Sequence, residues 1–200
     1  KVMSTQHYIF GYGRLISSTS RRITGIAGDS MAVRVNGLER TWVGWQGTSM
    51  RAVAAWPKPQ ASCNGVLFQV PESELEKFDE RETHYVRGQL EHSQITHLDG
   101  ADKLDPNSVV WIYLYAHQGN HLNDAPIVQS YLDVIVLGCQ EISATFAREV
   151  IEHTQNWAHW HDDRHDPVYP RAQDHKQSQQ IDQLLAQLVP LAFTQRVRSS

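Results

Sequence analysis

Strand-forming runs crowd the first third of this chain ahead of any long helix, and that order restricts the fold more than any other feature. Tyr8, Ile9 and Phe10 favour a pleated, half-buried backbone. Met31 to Leu38 carries apolar Ala32, Val33 and Val35 and meets a turn signal at Asn36-Gly37. Met50 to Trp56 is closed by Pro57-Lys58-Pro59, and Cys63 to Val70 is a β-rich run stopped by Pro71. Strands that follow one another without intervening helices point to a mixed or antiparallel sheet rather than a repeated βαβ chain. Further on, Val109 to Tyr115 is apolar on both faces and reads as a central buried strand. His84 to Leu90 and Glu91 to Leu98 read as a strand pair or one long bent strand, and Gly119 to Pro126 as polar loop. Apolar residues at helical spacing mark Ile127 to Leu137 (with Gly138 as its C-cap), Ser143 to Trp157 and Gln180 to Leu191.

Two hundred residues suffice for one full core and are short for two. No repeat, low-complexity tract or linker divides them, so the expectation is a single domain over 1–200 with a helical C-terminal extension from about 141. The net charge of −4 offers no basic surface on which to argue nucleic-acid binding. No run approaches the roughly eighteen apolar residues of a membrane span. Lys1 to Gln6 lacks the apolar core of a signal peptide. Cys63 and Cys139 both sit in apolar surroundings, which fits free thiols in a reducing cytoplasm better than a disulfide framework.

Two stretches carry candidate chemistry. The first strand runs into Gly11-Tyr12-Gly13-Arg14-Leu15, where alternate glycines permit a sharp turn that brings successive backbone N–H groups to a loop surface. Such a nest suits a carboxylate, although a Gly-x-Gly after a strand is also the pattern of a plain turn. The third glycine of a dinucleotide fingerprint and the Gly-Lys-Ser/Thr of a phosphate loop are both missing. The second stretch, Pro71 to Glu82, opens as a helix with acidic residues in its first turn. On a helical wheel Glu82 falls about 20° from Leu75, on the apolar stripe, while Glu76, Glu80 and Arg81 point away. A carboxylate aimed at a core or cleft is costly unless paired, and desolvation raises its pKa towards the range useful for proton transfer. The alternatives are that the helix stops at Asp79, or that Glu82 pairs with a buried arginine or caps an amide.

Other constellations are weaker. His153, His159, His161 and His165 crowd one stretch with Asp162, Asp163 and Asp166. His161 and His165 would suit a metal only on a helix, and Pro167 and Pro170 favour a solvated or substrate-facing loop, so no metal site is assigned. Asp163-Arg164 and Tyr169-Pro170-Arg171 are candidates for ion pairs that hold the C-terminal segment down. Trp42, Trp45 and Trp56 could stack on a ring substrate, but aromatic residues between strands are more often core. Gly-x-Ser-x-Gly is absent, and neither cysteine has an electropositive sequence context.

Taken together, the chain resembles the gamma-glutamylcyclotransferase family. Phe10-Gly11-Tyr12-Gly13-Arg14-Leu15 is similar to that family's Tyr-Gly-Ser-Leu-type loop, with Arg14 where Ser is usual. Phe78-Asp79-Glu80-Arg81-Glu82 resembles its Leu-Asp-x-x-Glu signature, with Glu82 at the catalytic position. Asn64-Gly65-Val66-Leu67-Phe68 resembles the strand before the catalytic helix, and Tyr131 to Gly138 the family's Tyr-x-x-x-x-x-x-Gly segment. The resemblance implies an α+β fold, a small mixed β-barrel flanked by helices with a pocket at its mouth. It implies a small-molecule gamma-glutamyl substrate converted to 5-oxoproline and a free amine, with no metal or organic cofactor. It makes Glu82 the general acid/base, Tyr12, Gly13, Arg14 and Leu15 the anion cradle, and Tyr131 part of the substrate pocket. A non-catalytic relative that binds a small acidic ligand is the alternative.

Overall fold

The computed structural model describes residues 4–26, 28–100, 103–118, 123–169 and 175–199. Its main sheet is built from β1 (His7–Gly11), β2 (Ser30–Val43), β3 (Ala52–Val70), β4 (Tyr85–Leu90), β5 (Ile95–His97) and β6 (Val109–Tyr115), in the order β4-β6-β1-β3-β2-β5. β1 runs antiparallel to β3 and parallel to β6, so the sheet is mixed. A smaller sheet joins β7 (Ile127–Val128), β9 (Trp160–Asp162) and β10 (Val197–Arg198), while β8 (Thr154–Gln155) lies along β2.

The strand order forces curvature. β4 and β5 stand at opposite ends of it, and in a flat sheet five spacings would put them about 24 Å apart. Only residues 91–94 connect them, a link of about 18 Å at full stretch and shorter here because His92–Gln94 is a 3-10 turn. The sheet therefore curls towards a barrel, although no hydrogen-bonded ladder joins β4 to β5. The two runs expected to form a strand pair or one bent strand are instead separate edges, β4 pairing with β6 and β5 with β2.

Two turn signals turn out to mark a bulge. β2 continues through Asn36-Gly37 to Val43, its register with β3 shifts between Asn36 and Leu38, and Gly37 adopts a φ of +84°. Opposite it, Leu38 pairs with Pro57 and Asn36 with Ser62, leaving residues 58–61 as the excess length of β3. Pro57 and Pro59 are exposed in this bulge, where a missing N–H removes little from the ladder. Met50 to Trp56 and Cys63 to Val70 thus belong to one strand.

Helices cover the curled sheet. α1 (Ser18–Ile23) starts at Ser17, whose hydroxyl accepts from the Ser20 amide. α2 (Leu75–Arg81) buries Leu75 and Phe78. α3 (Gln129–Ile142) begins after Ile127 and Val128 have paired with β9, and runs straight through Gly138. Gly138 is not a C-cap; it is a contact point. A Cβ there would lie 2.7 Å from the Ser17 N and Cα atoms. Gly138→Ala is expected to cost about 3 kcal/mol, since backbone rather than a side-chain tip must give way; urea denaturation measures it.

α4 (Ala144–Glu152) is capped by Ser143 and ends before Trp157, because the chain leaves the helix at His153 to enter β8. The Gln180-to-Leu191 segment divides between α5 (His175–Leu188) and α6 (Pro190–Thr194), Pro190 taking the first turn of the second helix. Of the polar loop expected at Gly119 to Pro126, residues 119–122 lie outside the described residues. No helix among the described residues is long and apolar enough to cross a membrane.

Polar clamps fix the C-terminal segment to α3. Fully buried Asp133 accepts from the Nε and a terminal nitrogen of Arg164, each at 2.9 Å, and from the Gln129 amide. Arg164 and Arg196 both reach Asp182. Among the described residues Asp163 makes no such pair: it caps α3, accepting the Ser130 N–H at 2.8 Å, the Ser130 hydroxyl at 2.6 Å and the Val168 N–H at 2.8 Å. Pro170 and Arg171, also expected to hold this segment, lie outside the described residues.

Candidate active site

The loop after β1 is shaped by what its glycines leave out. At Gly11 a Cβ would meet Leu15 Cβ at 3.1 Å and the Phe68 ring at 3.2 Å. At Gly65, across from the end of β1, a Cβ would sit 2.4 Å from the Gly11 carbonyl oxygen. Both strands need glycine for the chain to turn here. Gly13 then opens a 3-10 turn, Arg14–Ile16, in which the Ile16 N–H donates to the Gly13 carbonyl. The N–H groups of Gly13, Arg14 and Leu15 consequently have no acceptor within the turn. Buried Arg40 steadies the loop from below, donating to the carbonyls of Tyr12, Asn64 and Val150 and to Thr154 Oγ1.

This loop walls a cavity of about 210 Å³, and Tyr12, Gly13, Arg14, Leu15, Glu82 and Tyr131 all line it. The volume is below the roughly 300–1,000 Å³ of sites for drug-sized ligands and suits a molecule of amino-acid size. Glu82 is the first residue beyond α2, its N–H still bonded to the Phe78 carbonyl. The end of α2 is pinned by Asp79, which accepts from the Tyr113 hydroxyl at 2.8 Å and pairs with Arg87 at 3.0 Å. The Glu82 side chain is 19% exposed and its carboxylate lies 3.8 Å from the Arg14 guanidinium. Burial lifts the Glu82 carboxyl above the usual range, and Arg14 and Arg81 pull it partly back. Among the described residues it is the only carboxylate on the cavity wall.

Tyrosines dominate the rest. Burial pushes the Tyr131 phenol up to about 12, against Arg14 and a hydrogen bond from the Val53 backbone. Burial raises Tyr12 and Tyr85 strongly, and Tyr113 is raised by burial and then by its bond to Asp79. These phenols are neutral donors near pH 7. Tyr12 spends its proton on the Tyr113 carbonyl and Tyr85 on the Val53 carbonyl.

Sequence reasoning missed Tyr85, Tyr113 and Tyr169, and treated Trp45 as one of three equivalent tryptophans. Trp42 and Trp56 are core, whereas Trp45 reaches the cavity and stacks on His84 at 4.3 Å. Cys63 and Cys139 are buried and free, and burial raises both thiols, Cys139 to about 12. Of the histidine-rich segment, His161 lies in β9. Among the described residues no three His, Cys, Asp or Glu side chains are grouped to hold a metal.

Comparison with known proteins agrees with this architecture. No curated protein matches the chain significantly by sequence. A solved structure described as "Gamma-glutamyl cyclotransferase" superposes with a TM-score of 0.59 at 15% identity, covering 89% of this chain and 99% of that one. An uncharacterized protein from Homo sapiens gives 0.57 at 16% identity with the same coverage, and YkqA from Bacillus subtilis gives 0.56 at 17%, covering 75% of this chain and 54% of that one. At such identities these likenesses show the fold. The sequence profile described as "Gamma-glutamyl cyclotransferase, AIG2-like" matches residues 9–131, from β1 to the cavity tyrosine of α3, and the chain belongs to that family.

Proposed function

We propose that the protein is a cyclotransferase that converts gamma-glutamyl amides to 5-oxoproline and a free amine, with Glu82 as general acid/base. The observation that carries this reading is a half-buried carboxylate of raised pKa, facing an arginine in a cavity lined by a turn whose first N–H groups have no acceptor within it. The substrate's α-carboxylate sits against the Gly13–Leu15 amides and Arg14, which orients its α-ammonium towards Glu82. Glu82 takes a proton from that ammonium, and the freed amine attacks the γ-carbonyl carbon of its own chain. Ring closure is intramolecular, so holding the folded geometry supplies much of the acceleration. The developing oxyanion is met by the Tyr131 hydroxyl, which burial keeps neutral and so a donor. The C–N bond breaks as Glu82 returns the proton to the leaving nitrogen, and the second proton, lost from the ring nitrogen through the same carboxylate, ends on the departing amine. The protons come from the substrate's own ammonium and are relayed by Glu82, and the buried thiols fit a cytoplasmic protein.

One observation favours a second reading, a non-catalytic binder of small acidic ligands: Arg14 stands where the family usually has Ser, and it faces Glu82 directly. The pH dependence of 5-oxoproline release separates the two. Arg14 lowers the Glu82 pKa, so Arg14→Met is expected to move the acid limb of kcat/KM to higher pH and to raise KM on the order of tenfold. An acid limb that stays in place removes Glu82 as the titrating base. A protein that binds gamma-glutamyl compounds without releasing product supports the second reading.

A further inference from the structure

Resting on the cyclotransferase reading, we infer that the leaving-group end of the cavity is a subsite for an apolar, ring-bearing amine. The glutamyl part of the substrate uses the charged and amide-lined portion of the wall. The α-carboxylate takes Gly13–Leu15 and Arg14, and the α-amine takes Glu82. Five residues of the remaining lining are neither charged nor fully buried; of these Ala52 is small and Tyr85 is tied through its hydroxyl to the Val53 carbonyl, which leaves Trp45, Met50 and Tyr169 as the large open side chains. They come from three places in the chain, are each partly open to solvent, and form the rim of the inferred subsite, against which the nitrogen substituent of the scissile amide is placed.

Each rim residue is held in place. Trp45 is stacked face to face on His84, with centroids 4.3 Å apart and planes 21° from parallel. Tyr169 meets Tyr131 edge-on at 5.3 Å, and its N–H donates to the Ser130 hydroxyl at 3.0 Å. That hydroxyl is itself bound by Asp163, so the cap of α3 and the placement of Tyr169 are one device. Met50 adds a polarisable thioether of the kind that packs against ring edges. Two preset aromatic faces and a thioether at a solvent-facing rim lose little conformational entropy when they close on a planar group. A leaving group without a side chain would leave them wet. Tyr169 also lies outside the stretch matched to the family, so this part of the wall belongs to the C-terminal segment of this chain.

The test compares gamma-glutamylphenylalanine with gamma-glutamylglycine. With the unmodified protein, kcat/KM for the phenylalanine compound is expected to exceed that for the glycine compound by on the order of 10- to 100-fold. In Trp45→Ala and Tyr169→Leu that ratio should collapse towards one. Equal kcat/KM for the two compounds in the unmodified protein overturns the subsite while leaving the cyclotransferase reading intact. So does a loss in the variants that is the same for both compounds. Calorimetric titration of Glu82→Gln with each compound covers the case in which neither is turned over: tighter binding of the phenylalanine compound upholds the subsite, and equal binding overturns it. Binding of neither, together with no turnover, overturns the cyclotransferase reading and the subsite with it.

Discussion

Glu82→Gln is expected to lower 5-oxoproline release by on the order of 10²–10⁴-fold while making the folded protein more stable at neutral pH. The two effects share one cause. Burial raises the Glu82 pKa in the fold above its unfolded value of about 4.3. The protonated carboxyl therefore contributes stability below that unfolded value, and the contribution is lost as pH rises through the folded one. Above that folded value the side chain is an anion held against desolvation, with Arg14 at 3.8 Å as partial compensation. Glutamine keeps the shape and removes the charge. Urea midpoints should thus favour the variant at pH 7, and the difference should vanish below about pH 4. A variant that is inactive and less stable at pH 7 would show that Glu82 serves the fold rather than proton transfer.

Asp133→Ala is expected to cost about 3–5 kcal/mol, because among the described residues it leaves the largely buried Arg164 guanidinium with only the more exposed Asp182. For a chain of this length that corresponds to a fall in Tm on the order of 10 °C. Function should follow, since Asp133 lies two residues from Tyr131 on α3, and Arg164 anchors the segment that carries Tyr169. Asp182→Ala, at a site 29% exposed, should cost about 1 kcal/mol. If Asp133→Ala stays within about 1 kcal/mol of the parent, the C-terminal segment is held by its apolar contacts and the clamp is incidental.

Where local chemistry decides the structure, the sequence was readable. Helical periodicity set Glu82 close to Leu75 on the apolar stripe; α2 ends at Arg81, and Glu82, as the first residue past it, lines the cavity. Gly11 marks a turn at which a Cβ would press on Leu15 and Phe68, whereas at Gly13 a Cβ would meet Val53 only at ordinary contact distance. Where distant segments meet, local signals misled. Asn36-Gly37 and Pro57-Lys58-Pro59 have turn chemistry, yet they face each other in one bulge, which becomes visible only once β2 and β3 are paired. Gly138 has the look of a helix terminus because its true neighbour, Ser17, is remote in sequence. The aromatic wall was hidden for the same reason. Tyr85, Tyr113 and Tyr169 come from β4, β6 and the C-terminal segment, and no spacing rule brings those together. The curl of the sheet and the clamps on α3 do so.

The measurement that tests the account most directly is the release of 5-oxoproline and free amine from a panel of gamma-glutamyl compounds, glutathione included, by the protein and by Glu82→Gln in parallel. The account predicts the two products in equal amounts from at least one compound, and their loss in the variant with its fold retained by circular dichroism. Release that persists undiminished in Glu82→Gln, or no release from any compound, would contradict it.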